Sequence, residues 1–149
     1  MARELILIGR IDRIDLTDFG LLDIPAKIDT GAYTSSIHCS NIEVIERKGI
    51  PRLRFHILDN DPRHAGQVFE TRYFELKFIK SSIGAIEQRY VIQTRVALFD
   101  KIYRTKFSLS NRGEMKFPVL IGRKLLRRRF VVDVTKCNVS YKSKTSKIL

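Results

Sequence analysis

The stretch Ala26-Lys27-Ile28-Asp29-Thr30-Gly31-Ala32 decides how the rest of this 149-residue chain is read. An apolar run ends at Ile28, and a carboxylate, a hydroxyl and a glycine follow without a spacer. The pattern predicts a strand running into a tight turn, with Asp29 held at the bend. Gly31 permits a sharp turn or the close approach of another segment. Thr30 can spend its hydroxyl locally. Such a turn can present a carboxylate to a cleft. It is also what an ordinary turn looks like, because Asp, Thr and Gly all favour turns for local hydrogen-bond reasons.

A second segment bears on the choice. Phe117-Pro118-Val119-Leu120-Ile121-Gly122-Arg123-Lys124-Leu125-Leu126 reads as an apolar strand ending at a glycine, followed by a short helix. An Asp-Thr-Gly-Ala segment with a later apolar-apolar-Gly-Arg-x-Leu-Leu resembles the retropepsin-like aspartic proteases. The resemblance is closer to a bacterial branch catalogued as ATP-dependent zinc proteases and associated with RimK-like ATP-grasp ligases. It is carried by Ile8-Gly9-Arg10, by Lys27 to Ala32 with Thr34, Ser35 and His38, and by Arg89-Tyr90-Val91-Ile92. Ser108 to Arg112, Met115, Leu120 to Arg123, Arg129-Phe130 and Asp133 continue it, so it spans about residues 8 to 133.

The resemblance implies an all-β, barrel-like fold of the retropepsin type with one short helix after Leu-Ile-Gly-Arg. It implies an aspartic endopeptidase with Asp29 as the catalytic carboxylate and Thr30 and Gly31 in the same motif. Ala32 would line the substrate site, with Ser82, Ile83 and Gly84 closing over it. Lys27 departs from retropepsins proper, where an apolar residue is usual, and agrees with the bacterial branch. Two residues before Asp29 in a strand, it shares that face and reads either as a draw for an acidic substrate or as a surface lysine paired with a carboxylate. The second segment would pack beneath the catalytic loop, and Arg123 would form a buried ion pair. The branch also resembles proteins that trim glutamate tails which RimK-like ligases add to a small-subunit ribosomal protein.

Length and composition agree with one folded domain over residues 1–149. The hydrophobic fraction is 44% and the charged fraction 30%. No apolar run approaches the length of a membrane span, and Leu5 to Ile8 is too short for a signal-peptide core. The expected setting is the cytoplasm, without membrane attachment. Cys39 and Cys137 have no motif spacing and read as free thiols. The net charge of +12 favours an acidic partner: nucleic acid, ribosome, anionic lipid or acidic peptide. The densest basic run, Arg127-Arg128-Arg129, also suits a helix C-terminus.

Taken in order, residues 2–10 read as an edge or interface strand and Leu21 to Ile28 as a strand, with Pro25 marking an edge or bend. Strands over 34–46 and 51–58 flank a turn at Lys48-Gly49. The loop at 59–66 holds two aspartates and His64, but no HExxH or Ca²⁺-loop spacing, so no metal or cofactor is expected. Residues 68–80 and 86–96 read as a long hairpin whose tip, 78–88, has the place of a retropepsin flap. Another hairpin turns at Phe99-Asp100-Lys101, and Phe130 to Val134 is the last apolar strand. Residues 139–149 read as a loose basic tail or a strand paired across a dimer.

Carboxylate-catalysed peptide hydrolysis needs two acids sharing one site, one ionised and one protonated. This chain supplies one Asp-Thr-Gly. The expectation is therefore a C₂ homodimer with two copies of Asp29 at the axis, acting on an acidic, glutamate-rich peptide. The alternative is a non-catalytic basic module of the same fold that binds ribosome or nucleic acid.

Overall fold

The computed structural model describes residues 4–57, 64, 66–80, 83–111 and 116–146. The strands are β1 (Ile6–Ile8), β2 (Ile11–Leu16), β3 (Leu21–Ile28), β4 (Ser35–Arg47), β5 (Ile50–Ile57) and β6 (Phe69–Thr71). They continue as β7 (Phe74–Lys80), β8 (Ile86–Leu98), β9 (Lys101–Ser110), β10 (Val119–Ile121) and β11 (Phe130–Val132). Two helices, α1 (Arg123–Leu126) and α2 (Val139–Ser146), and a 3₁₀ turn at Thr17–Phe19 complete the described elements. No described helix is long and apolar enough to cross a membrane.

Alternation along the strands builds the core. In β2, Asp12, Ile14 and Leu16 are buried while Arg13 is exposed, as a period of two requires. Phe55, Phe107, Ile24, Ile37, Ile92 and Ile121 fill the interior with them. Phe19 packs edge-on against Phe55 and Phe69. Cys39 is fully buried, and burial pushes its thiol far above the ordinary range.

The sheet closes into a ring. β10 pairs in parallel with β3 and antiparallel with β4. The circuit returns through β2, β8 and β9 to β4. β4 leaves the ring at Asn41, which has a left-handed φ of 52°, and its outer half pairs with β5. The hairpin turns have left-handed backbone where the strand twist demands it: Lys48-Gly49 after β4, and Phe99-Asp100 after β8. The positive φ of Phe99 is compensated by Ser140 Oγ, which accepts its N–H at 2.9 Å. Pro25 sits one residue outside the β3–β10 pairing, which begins at Ala26.

Two expectations change. The N-terminal strand is confined to Ile6–Ile8 and pairs in parallel with β11. Residues 139–146 are neither a tail nor a strand but α2, packed on β2. Its polar sequence gives no amphipathic stripe. What fixes it is Asp12, only 1% exposed, which accepts N–H bonds from Ser140 (2.9 Å) and Tyr141 (3.1 Å). Lys144 then bridges Asp15 and Asp23 at 3.1 and 2.9 Å.

Asp12→Ala removes the acceptor for two N–H groups of α2 and should cost about 1–3 kcal/mol. Urea unfolding reads the loss, and amide exchange in 139–146 should accelerate before that of the ring. Asp18 gives a pH signature. Burial alone would raise its carboxyl, but bonds from Arg95 and Thr94 hold it below the usual 3.8. A depressed carboxylate stabilises the fold above its unfolded pKa, and that contribution is lost as pH falls through its folded value. Urea midpoints should therefore drop on the acid side of 3.8 less steeply in Asp18→Asn than in the native protein.

Candidate active site

β3 delivers the Asp29 loop, and β10 with α1 carries it from below. Asp29 N–H donates to the Ile121 carbonyl at 2.8 Å. Beyond the bend, Arg123 N–H donates to the Ala32 carbonyl at 2.8 Å and Lys124 N–H to that of Tyr33 at 2.9 Å. The first N–H groups of α1 are thus satisfied by the loop itself, and the loop is held at both ends. The Arg123 side chain adds a third tie, donating from Nη1 to the Thr30 carbonyl at 2.9 Å.

Inside the loop, the Gly31 N–H donates to Asp29 Oδ1 at 3.0 Å. This bond orients the carboxylate through one of its oxygens. Asp29 is half-buried, while Thr30 and Gly31 are exposed. The close approach falls elsewhere than Gly31. A Cβ on Gly122 would lie 2.7 Å from the Tyr33 carbonyl oxygen and 2.9 Å from that of Ala32. At Gly31 the nearest atom would be Asp29 Oδ1 at 3.3 Å, and the backbone is not left-handed. Gly122 is the glycine that lets the two segments touch.

The structure brings Lys27, Thr30, Gly31 and Ala32 together with Asp29 because all lie on β3 and its loop. Lys27 is exposed, paired in register with Ile11 and Leu120. Ile83 and Gly84 stand at the tip of the β7–β8 hairpin, where Lys80 faces Ile86. Ile83 is 88% exposed, and Gly84 has a φ of 84°. The hairpin joins the ring through β8, which β2 separates from β3. Ser82 lies outside the described residues, as do all but His64 and Gly66 of the 59–66 loop. Among the described residues, no three His, Cys, Asp or Glu side chains cluster as a metal site.

Arg123 departs from its expected role. It is exposed, bonds a carbonyl rather than a carboxylate, and lies 5.9 Å from the Tyr33 ring centre. The sequence reading also passed over Tyr33, which is half-exposed beside Arg123. Ser35, singled out beforehand, accepts the Gly122 N–H on Oγ at 3.0 Å. Thr30, Tyr33, Arg123, Leu126 and Phe130 border an open cavity of 480 Å³ next to the loop.

A closed β ring with an Asp-Thr-Gly loop seated on Leu-Ile-Gly-Arg defines a retropepsin-like domain. A family model described as "RimB-like: Retropepsin-like aspartic endopeptidase RimB" matches residues 7–143, and the chain belongs to that family. This description carries no zinc, unlike the label of the branch named above. A protein of Desulfotalea psychrophila named "Probable alpha-L-glutamate ligase" is 34% identical over 143 residues, 94% of this chain and 31% of its own length. A protein of Shewanella halifaxensis with the same name is 33% identical over 135 residues, 89% of this chain and 29% of its own length. The chain therefore spans about a third of the length of these relatives. A crystal structure of a Legionella pneumophila protein of unknown function (DUF785) matches with a TM-score of 0.73 and 31% identity, covering 92% of this chain and 99% of that one.

Gly122→Ala should force the loop off its seat and cost about 1–3 kcal/mol, the range for overpacking a tight site. Gly31→Ala should cost less. Equilibrium unfolding of both variants ranks them.

Proposed function

We propose that residues 1–149 form one aspartic peptidase domain that works as a homodimer, two copies of Asp29 making the catalytic dyad. The observation that carries this reading is the Asp29 carboxylate, oriented by Gly31 N–H on a loop tied to Ile121, Arg123 and Lys124. Two carboxylates in contact cannot both ionise easily, so the pair shares a proton. The ionised one takes a proton from water as the water attacks the peptide carbonyl. The protonated one donates to the carbonyl oxygen, and the proton then passes to the leaving amine. Thr30 reaches across the axis to its counterpart.

Two surfaces support a second copy. Leu7 and Val131, opposite each other on the β1–β11 ladder, are 41% and 47% exposed, and Leu5 beside them is 44% exposed. The cavity beside Thr30 and Tyr33 lies on the loop's own flank, where a symmetry mate would cover it. The β7–β8 hairpin acts as the flap. One of its faces carries Leu76 and Phe78, 50% and 73% exposed, with Ile86 opposite Lys80. Ser82, Ile83 and Gly84 close over the substrate backbone.

The substrate is an acidic, glutamate-rich peptide or protein tail in the cytoplasm. A net charge of +12 suits it, and Lys27 is placed on the strand that ends in Asp29. The kinship to proteins named as glutamate ligases supports a functional link to an ATP-grasp ligase, with a glutamate-tailed ribosomal protein as a fitting substrate. No cofactor enters the reaction.

Incubation with a peptide bearing a poly-α-glutamate tail, read by mass spectrometry, tests the reading. The native protein should cleave as a dimer in sedimentation. Asp29→Asn should keep the dimer and lose activity about a thousandfold, within the range for a positioned acid–base group. Equal cleavage by Asp29→Asn would overturn the dyad. No cleavage by a folded dimer, with salt-sensitive binding to ribosomes instead, would favour the binding module.

A further inference from the structure

Four arginines collect in a cleft away from Asp29. This cleft of 640 Å³ opens among the Thr17–Phe19 turn, β5, the β6–β7 link and the β8–β9 ladder, and Arg52, Arg72, Arg95 and Arg104 line it. Two of these arginines oppose each other across a ladder. Arg95 and Arg104 are register partners on β8 and β9. Arg52 and Arg72 lie one step beyond the Leu53–Thr71 pair of β5 and β6. Like charges directly opposite on neighbouring strands destabilise a sheet, and here one such pair shares a cavity with two further arginines.

The two carboxylates of the cleft offset only part of this charge. Asp18 is engaged by Arg95 Nε (2.7 Å), Arg95 N–H (2.9 Å) and Thr94 Oγ1 (2.8 Å). Glu70 is held bidentately by Arg47, at 2.8 and 2.5 Å. Among the described residues, the ion pairs leave Arg52, Arg72 and Arg104 without a carboxylate partner. Arg52 Nε is buried and has no hydrogen-bond partner there. A buried, unmet guanidinium N–H is costly, and a ligand oxyanion would satisfy it.

We propose that this cleft is a second binding site, which takes the side-chain carboxylates of an acidic peptide segment and holds that segment apart from the bond being cut. The proposal rests on the peptidase reading of Asp29. The cleft meets the Leu21 end of β3 through Asp18 and Phe19, while Asp29 follows its Ile28 end. An eight-residue strand rising about 3.3 Å per residue, interrupted at left-handed Asp23, spans at most roughly 25 Å between these two ends. That distance fits an extended tail of several residues gripped at one end and cleaved at the other. Guanidinium forks match planar carboxylates two bonds at a time. A single-stranded nucleic acid would ask for a row of aromatic platforms. In the cleft, Phe19 is packed against Phe55 and Phe69, and Tyr73 lies beneath Arg72 at 5.2 Å.

Binding is measured by fluorescence anisotropy with a labelled poly-α-glutamate peptide, on full-length Asp29→Asn protein so that the probe is not cut. Adding Arg52→Gln with Arg104→Gln should weaken binding about tenfold per arginine, the order expected for a charge-assisted bond. Arg72→Gln with Arg104→Gln, both at exposed positions, repeats the test without touching the partly buried arginine. In the Asp29 background, KM for a long tail should rise in these variants, while turnover of a short peptide cut at the same bond stays unchanged. Unchanged affinity in both double variants, with unchanged melting, overturns the cleft. Arginine-dependent binding of an RNA oligomer or polyphosphate that outcompetes the peptide overturns the acidic-peptide assignment. The two readings fail separately: arginine-dependent binding with no cleavage sinks the peptidase and keeps the cleft, whereas cleavage indifferent to the arginines does the reverse.

Discussion

Everything at the candidate site depends on one backbone contact, the seating of residues 29–35 on residues 121–124. The contact is made of main-chain hydrogen bonds, and it exists because Gly122 has no side chain to hold the two segments apart. The loop has no regular structure of its own. Its polar groups are met by β10 and α1, and Ser35 Oγ accepts the Gly122 N–H in return, so a carboxylate on an exposed bend acquires a fixed direction. The ring then follows, because β10 can reach both β3 and β4 only if the loop joining them wraps around its end.

This dependence explains what could be read from the sequence. The Asp29 bend, the strand that precedes it, the Gly122 segment and α1 are signalled by local pattern, since apolar runs end at small or polar residues. The β7–β8 and β8–β9 hairpins were legible for the same reason, since short runs of small or turn-forming residues separate their apolar strands. The choice of glycine was not legible. Gly31 sits in the motif, but the tight approach is at Gly122, and only the path of a distant segment distinguishes them.

Other features were hidden because their causes are remote in sequence. No local signal marks α2, whose first N–H groups are satisfied by Asp12 from the opposite end of the chain. Arg123 looks like an ion-pair former by its charge, yet its geometry gives it the Thr30 carbonyl. The arginine cleft collects residues from β5, the β6–β7 link, β8 and β9. In the sequence these were scattered members of a basic surplus, with nothing to show that four of them would line one cleft.

The position of β10 also sets an order of events in time. As the chain emerges from a ribosome, β2 and β3 can pair early, and the β4–β5, β7–β8 and β8–β9 hairpins can form as each is released. The gap between β3 and β4 stays open until residues 119–121 arrive, since that strand alone borders both. β1 waits longer still, because its described partner is β11. Closing such distant pairings is slow. The nascent chain therefore carries an unseated Asp29 loop until residues 119–124 arrive, and only then does the carboxylate take up its fixed direction.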